Sequence, residues 1–523
     1  AAGTAALAGL PVHVITVNDY LVQRDAEWMA PVYKALGLTV GYVLQGMEPA
    51  LRAQAYRSDI TYCNNKELVF DYLKDKILLR SVTSPTQLQL ERLYRESSRA
   101  DKLLHRGLYY AIVDEADSVM VDEARTPLII SGQKSTRFEE RRYHEALELA
   151  RCLTEKADFT LEIGGGRATL TTAGKEKLAS LVEGKDPFWK IRPNREELAS
   201  IALQAMHHYL RDVQYLVDGE GKVQIIDEFT GRVMPDRTWE GGLHQMIEAK
   251  EQVEISGYQE TVARITYQRF FRRYLHLSGM TGTAAEVAKE MWMVYRLKMV
   301  RIPTNRPSRR VQMRPEVFAT LDRKWSAIVD HVASIHREQG RPILVGTRSV
   351  EASEHLGRLF EKAALPHTIL NARQDKEEAE IIEAAGQQGR ITIATNMAGR
   401  GTDIRLGEGI AKRGGLHVVL TERHEARRID RQLYGRCARQ GDLGTCVSLT
   451  SLEDELVANF REKFLAAFGA NLPWGEAMSH RMRLLVVWLS QVSAEFRNAA
   501  IRRDTLRVDR KLDQMLSFTG RVE

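Results

Sequence analysis

Asp114 and Glu115 follow directly on the apolar run LYYAIV at 108–113, and two adjacent carboxylates in that setting suit nucleotide chemistry. Such a run reads as a buried parallel strand, and open α/β sheets place their ligands beyond the C-terminal ends of their strands. There a first carboxylate can hold the magnesium ion that bridges nucleotide phosphates, and its neighbour can orient the water that attacks the terminal phosphate. Asp114 is the candidate magnesium ligand and Glu115 the candidate for water activation. Taken alone, the pair has a second reading, because helix N-termini also collect acids for capping and dipole reasons. No phosphate-cradling glycine-rich loop precedes it, so it looks like half of a nucleotide site.

A second set of candidates lies in the C-terminal half. Arg436 and Arg439 stand three residues apart in QLYGRCARQGD (432–442), a spacing expected to put both on one helical face beside a glycine-bearing turn. A guanidinium donates in a planar fork and keeps its charge, so one supplied across a cleft can neutralise charge developing on a transferring phosphoryl group. Arg439 is the candidate for that role, although an isolated RxxR is usually a surface ion-pair cluster. Gly399, Arg400, Gly401 and Asp403 belong to NMAGRGTDI (396–404), which follows the apolar strand RITIA and whose small residues let backbone amides approach a ligand or a facing domain. Thr281 and Gly282, in GMTGTA (279–284), form a similar hydroxyl-and-glycine turn. Each signal is modest, but the ordered set is specific.

These residues need two sheets to hold them. From 1 to 132 apolar strands alternate with helical stretches: HVITV (13–17), TVGYVL (39–44), DITYC (59–63), YYAIVD (109–114) and PLIIS (127–131). That alternation implies a parallel sheet. Charged helices from 137 to 156, a strand-turn-strand signal around Gly164, Gly165 and Gly166, and YLVD and VQIID near 215–227 mark a separate α+β insertion. The α/β pattern resumes near Ile265, and Pro303, Pro307 and the arginines at 301, 306, 309 and 310 read as a basic linker. A second parallel set follows: PILVGT (342–347), HTILNA (367–372), RITIATN (390–396) and LHVVLT (416–421). Beyond Met482 apolar residues at 485, 489, 492, 496, 501, 508, 512 and 515 predict a long amphipathic helix, with that seam packing into the core and Arg502, Arg503, Arg507, Arg510 and Lys511 solvated.

Bulk properties narrow the class. At 523 residues the chain is too long for one core, and about three domains are expected. A net charge of +6 permits a polyanionic partner without requiring one. The four cysteines lack any CxxC pair, which argues against a zinc site or a disulfide framework and points to a reducing compartment; Cys437 reads as a small buried residue. The apolar run at 484–489 falls far short of the ~20 residues of a membrane span.

The strings TVNDYL (16–21) with QRD (23–25), VDEADS (113–118), DEARTPLIISG (122–132) and NMAGRGTDI (396–404) closely resemble the SecA preprotein translocase ATPase family. So do PTNRP (303–307), GLHQ (242–245) with EAKE (248–251), and TERHE (421–425). The resemblance runs from about 12 to about 503. Superfamily two helicases share the carboxylate, GxGR and double-arginine motifs, whereas the DEARTPLIISG string is particular to SecA.

The resemblance implies two RecA-like parallel-sheet domains of the superfamily two helicase-like type that clamp ATP and magnesium between them. Nucleotide-binding domain 1 would cover 1–132 and 259–305, a preprotein cross-linking domain 133–258, nucleotide-binding domain 2 residues 306–470, and the start of a helical scaffold 471–523. By motif match Asp114 and Glu115 carry magnesium binding and water activation. Asp403, Arg436 and Arg439 close the site from the second domain, and Arg400 links the two. The implied partners are unfolded preprotein and the Sec membrane channel, with an acidic phospholipid surface and a homodimer also admitted. The implied location is cytoplasmic, with peripheral association to the inner face of the plasma membrane.

The chain departs from the family in several places. It begins Ala-Ala-Gly-Thr where the family's GKT loop should just have ended, so a sequence truncated at its N-terminus is expected, and as it stands it should bind ATP poorly. Ala438 replaces the usual glycine between the arginines, a change expected to suit a helix. After 502 the family's acidic, tyrosine-bearing continuation is replaced by LRVD (506–509). Two other classes remain open: a module that holds unfolded polypeptide without hydrolysing ATP, and a nucleic-acid helicase. The second is disfavoured, because aromatics are only 7% and are not clustered with Lys or Arg as stacking platforms require; no nucleic-acid partner is expected.

Overall fold

The computed structural model describes every residue except 80–84, 95–97, 135–136, 162–167, 185, 219–220, 227–232, 235–237, 240, 257, 371–374, 396–400, 469–477 and 519–523. The chain forms two compact units, Ala1–Leu128 with Arg264–Glu523, and Ile129–Ala263. The second is a few residues wider at each end than the insertion expected at 133–258.

The first unit holds two parallel sheets. In one, the strands run in the order His276–Met280, Tyr110–Asp114, Val12–Thr16, Ile60–Asn64, Val40–Val43, and each adjacent pair is parallel. In the other the order is Arg309–Gln312, Leu443–Ser451, Leu416–Leu420, Ile343–Thr347, Ile391–Thr395, Thr368–Leu370, with Glu316–Phe318 also joined to Leu443–Ser451. Val12–Thr16, Ile343–Thr347, Ile391–Thr395 and Leu416–Leu420 are buried along their whole length. That is why they read as continuous apolar runs: helices cover both faces of a parallel sheet. Trp325, Ile328, Val332, Leu356 and Phe360 cover one face of the second sheet, and Ile382, Leu433 and Tyr434 the other. Each such side chain, fully buried, contributes roughly 1.5–3 kcal/mol.

Three sequence expectations are corrected. The PLIIS segment lies in the strand Leu128–Lys134, which pairs with Tyr258–Ile265 in a separate two-stranded sheet; the fifth strand of the first sheet is His276–Met280, contributed from beyond the insertion. Part of the basic linker is also a strand: Arg309–Gln312 pairs in parallel with Leu443–Ser451, exposed along its length because it is an edge. The long helix His480–Phe518 exists, but Leu485, Phe496, Ile501 and Val508 face solvent, whereas Val487, Gln491, Ala494, Asn498, Arg502 and Asp509 are buried. Those six recur at helical spacing, so one face is covered, and that face is largely polar. It is satisfied by partners. Gln491 Nε2 donates to the His424 carbonyl at 2.9 Å and to Asp430 at 2.8 Å, Arg502 forks onto Glu290 at 2.6 and 2.8 Å, and Asp509 accepts from the Thr266 hydroxyl.

The second unit has its own core, built on Phe159, Trp189 and Tyr215 between the helices Arg137–Arg151, Arg192–His207 and Leu243–Glu251. The Trp189 indole N–H donates to Glu145 at 2.7 Å. Lys250 donates to the Ala205 and Tyr209 carbonyls at 2.9 and 2.7 Å, satisfying acceptors that the end of the helix Arg192–His207 leaves open.

Candidate nucleotide site between two parallel sheets

The strand Tyr110–Asp114 delivers Asp114 to the C-terminal edge of the first sheet. Glu115 then turns with φ 49, in the left-handed region. A non-glycine residue there carries strain of order 1–3 kcal/mol, and such strain clusters where a side chain must be aimed. The Glu115 amide donates to Asp114 Oδ1 at 2.9 Å, closing the turn.

Two residues later Asp117, fully buried, becomes the hub of a polar network. Its carboxylate accepts from Thr281 Oγ1 at 2.6 Å and Thr283 Oγ1 at 2.7 Å. From the second sheet's domain it accepts from Arg428 Nη1 at 3.3 Å and Gln432 Nε2 at 3.1 Å. Arg428 also forks onto Asp122, with Nη1 to Oδ2 at 2.5 Å. Burial works against the Arg428 charge, but Asp122 and then Asp117 more than offset it and raise its pKa. Arg428 and Gln432 reach one partner because they lie four residues apart on the helix Arg427–Tyr434. That helix can lie directly on the second sheet because Gly346 lacks a side chain; a Cβ there would meet Leu433 at 2.3 Å.

A second bridge lies alongside. Glu425 accepts from Arg125 of the first sheet's domain and from Asn498 of the long helix, each at 2.8 Å. A third joins Arg24 Nη1 to the Gly401 carbonyl at 3.2 Å.

The arginines of the second set lie past the end of the helix Arg427–Tyr434 and not on one helical face, which corrects the reading from their spacing. They sit in a turn in which Ala438 has φ 57 and Gln440 φ 56. Ala438 therefore occupies a left-handed position where glycine is free and alanine is strained, so the expectation that a helix favours Ala here is also overturned. Arg439 Nη1 pairs with Asp403 Oδ1 at 2.6 Å and its Nε donates to the Gly435 carbonyl at 3.1 Å. Arg436 Nη1 donates to the Thr402 carbonyl at 2.8 Å. Asp403, Arg436 and Arg439 line one cavity of about 280 Å³.

The structure places Asp114 and Glu115 at the C-terminal end of the strand Tyr110–Asp114 and Asp403, Arg436 and Arg439 around one cavity of the second sheet's domain, and it turns the Thr281 hydroxyl to Asp117. Gly282 follows Thr281 in an exposed bend, whereas Gly399 and Arg400 lie outside the described residues. The residues that join the domains, Asp117, Asp122, Arg428, Gln432 and Glu425, were not singled out from the sequence for that role. One signal was available: Arg428 and Gln432 one turn apart, preceding the double arginine.

A family model for the SecA DEAD-like domain matches residues 1–292, and one for the SecA P-loop domain matches 307–413 and 407–473. The chain is 48% identical over 520 residues to "Protein translocase subunit SecA 2" of Nitrosospira multiformis, covering 99% of this chain and 77% of that protein. It is 50% identical over 521 residues to the protein of the same name from Bordetella avium, with 99% and 78% covered. It is 47% identical over 530 residues to "Protein translocase subunit SecA 3" of Magnetococcus marinus, with 100% and 79% covered. With two parallel-sheet domains joined through an acidic turn, and with matches over nearly its whole length, the chain belongs to the SecA family.

Proposed function

We propose that this chain is the ATP-driven motor of a protein translocase, coupling hydrolysis between its two parallel-sheet domains to export of unfolded preproteins through the Sec membrane channel. The observation that carries the reading is the buried network in which Arg428 ties the acidic turn following Asp114 and Glu115 to the helix that leads into Arg436 and Arg439. A motor needs such a link, because a change at the phosphates must move one domain against the other.

The donor set fits a magnesium nucleotide. Asp114 offers the hard oxygen ligand that magnesium prefers, and Arg436 and Arg439 offer guanidinium groups suited to phosphate oxygens. Bound ATP with magnesium supplies the phosphoanhydride that is cleaved. Asp114 would hold the metal, and Glu115, fixed by its strained turn, would orient and deprotonate the attacking water. Arg439, whose side chain is 37% exposed, would exchange Asp403 for the terminal phosphate, with Arg436 beside it. Gly399, Arg400, Gly401 and Asp403 would contribute to nucleotide binding, and Thr281 and Gly282 would report the nucleotide's state through Asp117. The second compact unit would grip the unfolded polypeptide. No helix among the described residues is long and apolar enough to cross a membrane, and contact with the channel and with acidic lipid would be peripheral, from the cytoplasmic side.

The test is steady-state ATP hydrolysis by the full-length protein, with and without an unfolded secretory polypeptide, in the wild type and in Glu115→Gln. The expected result is hydrolysis that rises with polypeptide and falls roughly 10²–10⁴-fold in the variant. Polypeptide binding without any hydrolysis would identify a binding module instead, and stimulation by single-stranded nucleic acid alone would identify a helicase.

A further inference from the structure

Gly401, Thr402 and Asp403 follow one another in the chain, and each makes a contact that bears on the paired arginines. The Gly401 carbonyl accepts from Arg24 Nη1, of the first sheet's domain, at 3.2 Å. The Thr402 carbonyl accepts from Arg436 Nη1 at 2.8 Å, and Asp403 Oδ1 accepts from Arg439 Nη1 at 2.6 Å. Arg24 therefore touches the residue next to the two that hold Arg436 and Arg439.

The helix Asp19–Ala35 is built to make this contact. Asn18 caps its N-terminus, with Oδ1 accepting from the Leu21 amide at 2.9 Å, so its first turns are fixed. Asp25 takes the Arg24 guanidinium from the other side, accepting from Nε at 2.8 Å and from Nη2 at 2.7 Å, while Nη1 goes to Gly401. Packing adds a second contact between the same partners. Gly401 has φ 78, and a Cβ there would meet Leu21 Cδ1 at 2.3 Å. Only a glycine lets the backbone come this close in this conformation. Leu21 and Arg24 lie three residues apart on one helix face, so the face offers Gly401 both an apolar seat and a hydrogen-bond donor.

We propose that Arg24 is a positioning residue for hydrolysis: with Leu21 it seats Gly401, so that Thr402 and Asp403 hold Arg436 and Arg439 where a transferring phosphate can use them. The inference rests on the role proposed above for those two arginines. It makes their placement depend on contact between the two sheets' domains, because Gly401 loses its seat when Leu21 and Arg24 withdraw. A displacement of about 1 Å at a reacting group can cost ~10²-fold in rate, so a seat two residues away from Asp403 is close enough to matter. Arg24 itself touches no phosphate in this scheme. Its effect therefore falls on the rate of the bound complex and passes through Arg436 and Arg439.

The experiment measures kcat and KM for ATP in the full-length protein, comparing the wild type with Arg24→Ala, Arg439→Ala and the double variant. The Arg24 side chain is 35% exposed and its pair with Asp25 contributes little to stability, so Arg24→Ala should fold as the wild type does, which its unfolding midpoint checks. The expected result is a fall in kcat of roughly 10–100-fold in Arg24→Ala, with KM changed by less than about threefold. In the Arg439→Ala background the same change should cost less than about threefold more, because residues that act through one another are not additive. A raised KM with kcat unchanged would make Arg24 a direct nucleotide ligand and overturn the proposal. So would losses that multiply in the double variant. An active wild type whose kcat Arg24→Ala leaves unchanged would overturn this inference alone, whereas a wild type that hydrolyses no ATP would overturn the motor reading and this inference with it.

Discussion

Arg428 and Arg439 each pair with an aspartate, yet the first side chain is 4% exposed and the second 37%. Arg428 is held by Asp117 and Asp122, of which Asp117 is fully buried, whereas Asp403, the partner of Arg439, is 51% exposed. Removing one member of a buried pair strands the other charge, but an exposed pair gains little over hydration and can be exchanged. The same ion-pair chemistry therefore serves two ends. The buried pair ties the two sheets' domains together, and the exposed pair leaves Arg439 free to change partners, as its proposed role toward a phosphate requires.

The largest effect on stability is expected at the buried end. Arg428→Ala should cost about 3–5 kcal/mol, measured by urea unfolding, because it leaves Asp117 and Asp122 without their cation. A cost below ~1 kcal/mol would make the network an ordinary surface pair.

Buried imidazoles extend the contrast to pH. His13 is held neutral by burial, with its pKa lowered to about 3 and further opposed by His105 and Arg106; His417 is lowered to about 3 by burial, His331 and Arg341. In the unfolded chain both protonate near pH 6.5. The unfolded state therefore binds more protons between pH 6.5 and about 3, and stability present above that window is lost as pH falls through it. At pH 5 the expected loss is about 2 kcal/mol per histidine relative to pH 7. Removing the ionisable group in His13→Gln should reduce the slope of unfolding free energy against pH, and an unchanged slope would show that His13 titrates alike in both states.

A smaller effect is expected at the strained turn. Ala438→Gly relieves a left-handed φ at some cost in unfolded-chain entropy, so a net gain of about 0.5–1 kcal/mol in unfolding free energy is predicted. A loss would mean that the alanine methyl contributes more through packing than the backbone loses. The least effect on stability belongs to the exposed pair: Arg439→Ala should change unfolding free energy by about 0–1 kcal/mol.

Much of the fold was legible because fully buried parallel strands are continuous apolar runs. HVITV, DITYC, PILVGT, RITIA and LHVVL each fall within a residue or so of an observed strand. Leu443–Ser451 was not singled out because its Gly, Thr, Cys and Ser residues lack that signature, although most of it is buried. The long helix misled for the opposite reason. Its apolar residues suggested the buried face, but its neighbours present His424, Asp430, Glu425 and Glu290, so polar Gln491, Asn498 and Arg502 face inward. Of the candidate site, the residue types and their order were readable. What could not be read was which arginine the interior would take: Arg428 and Arg439 look alike in one dimension and differ only in what surrounds them.

ATP turnover by Arg439→Ala in the full-length protein, at a temperature where its folded fraction matches that of the wild type, tests the division between a buried fastening and an available guanidinium most directly. A fall of roughly 10³-fold or more is expected, with the unfolding midpoint little changed. Turnover near the wild-type rate would contradict it.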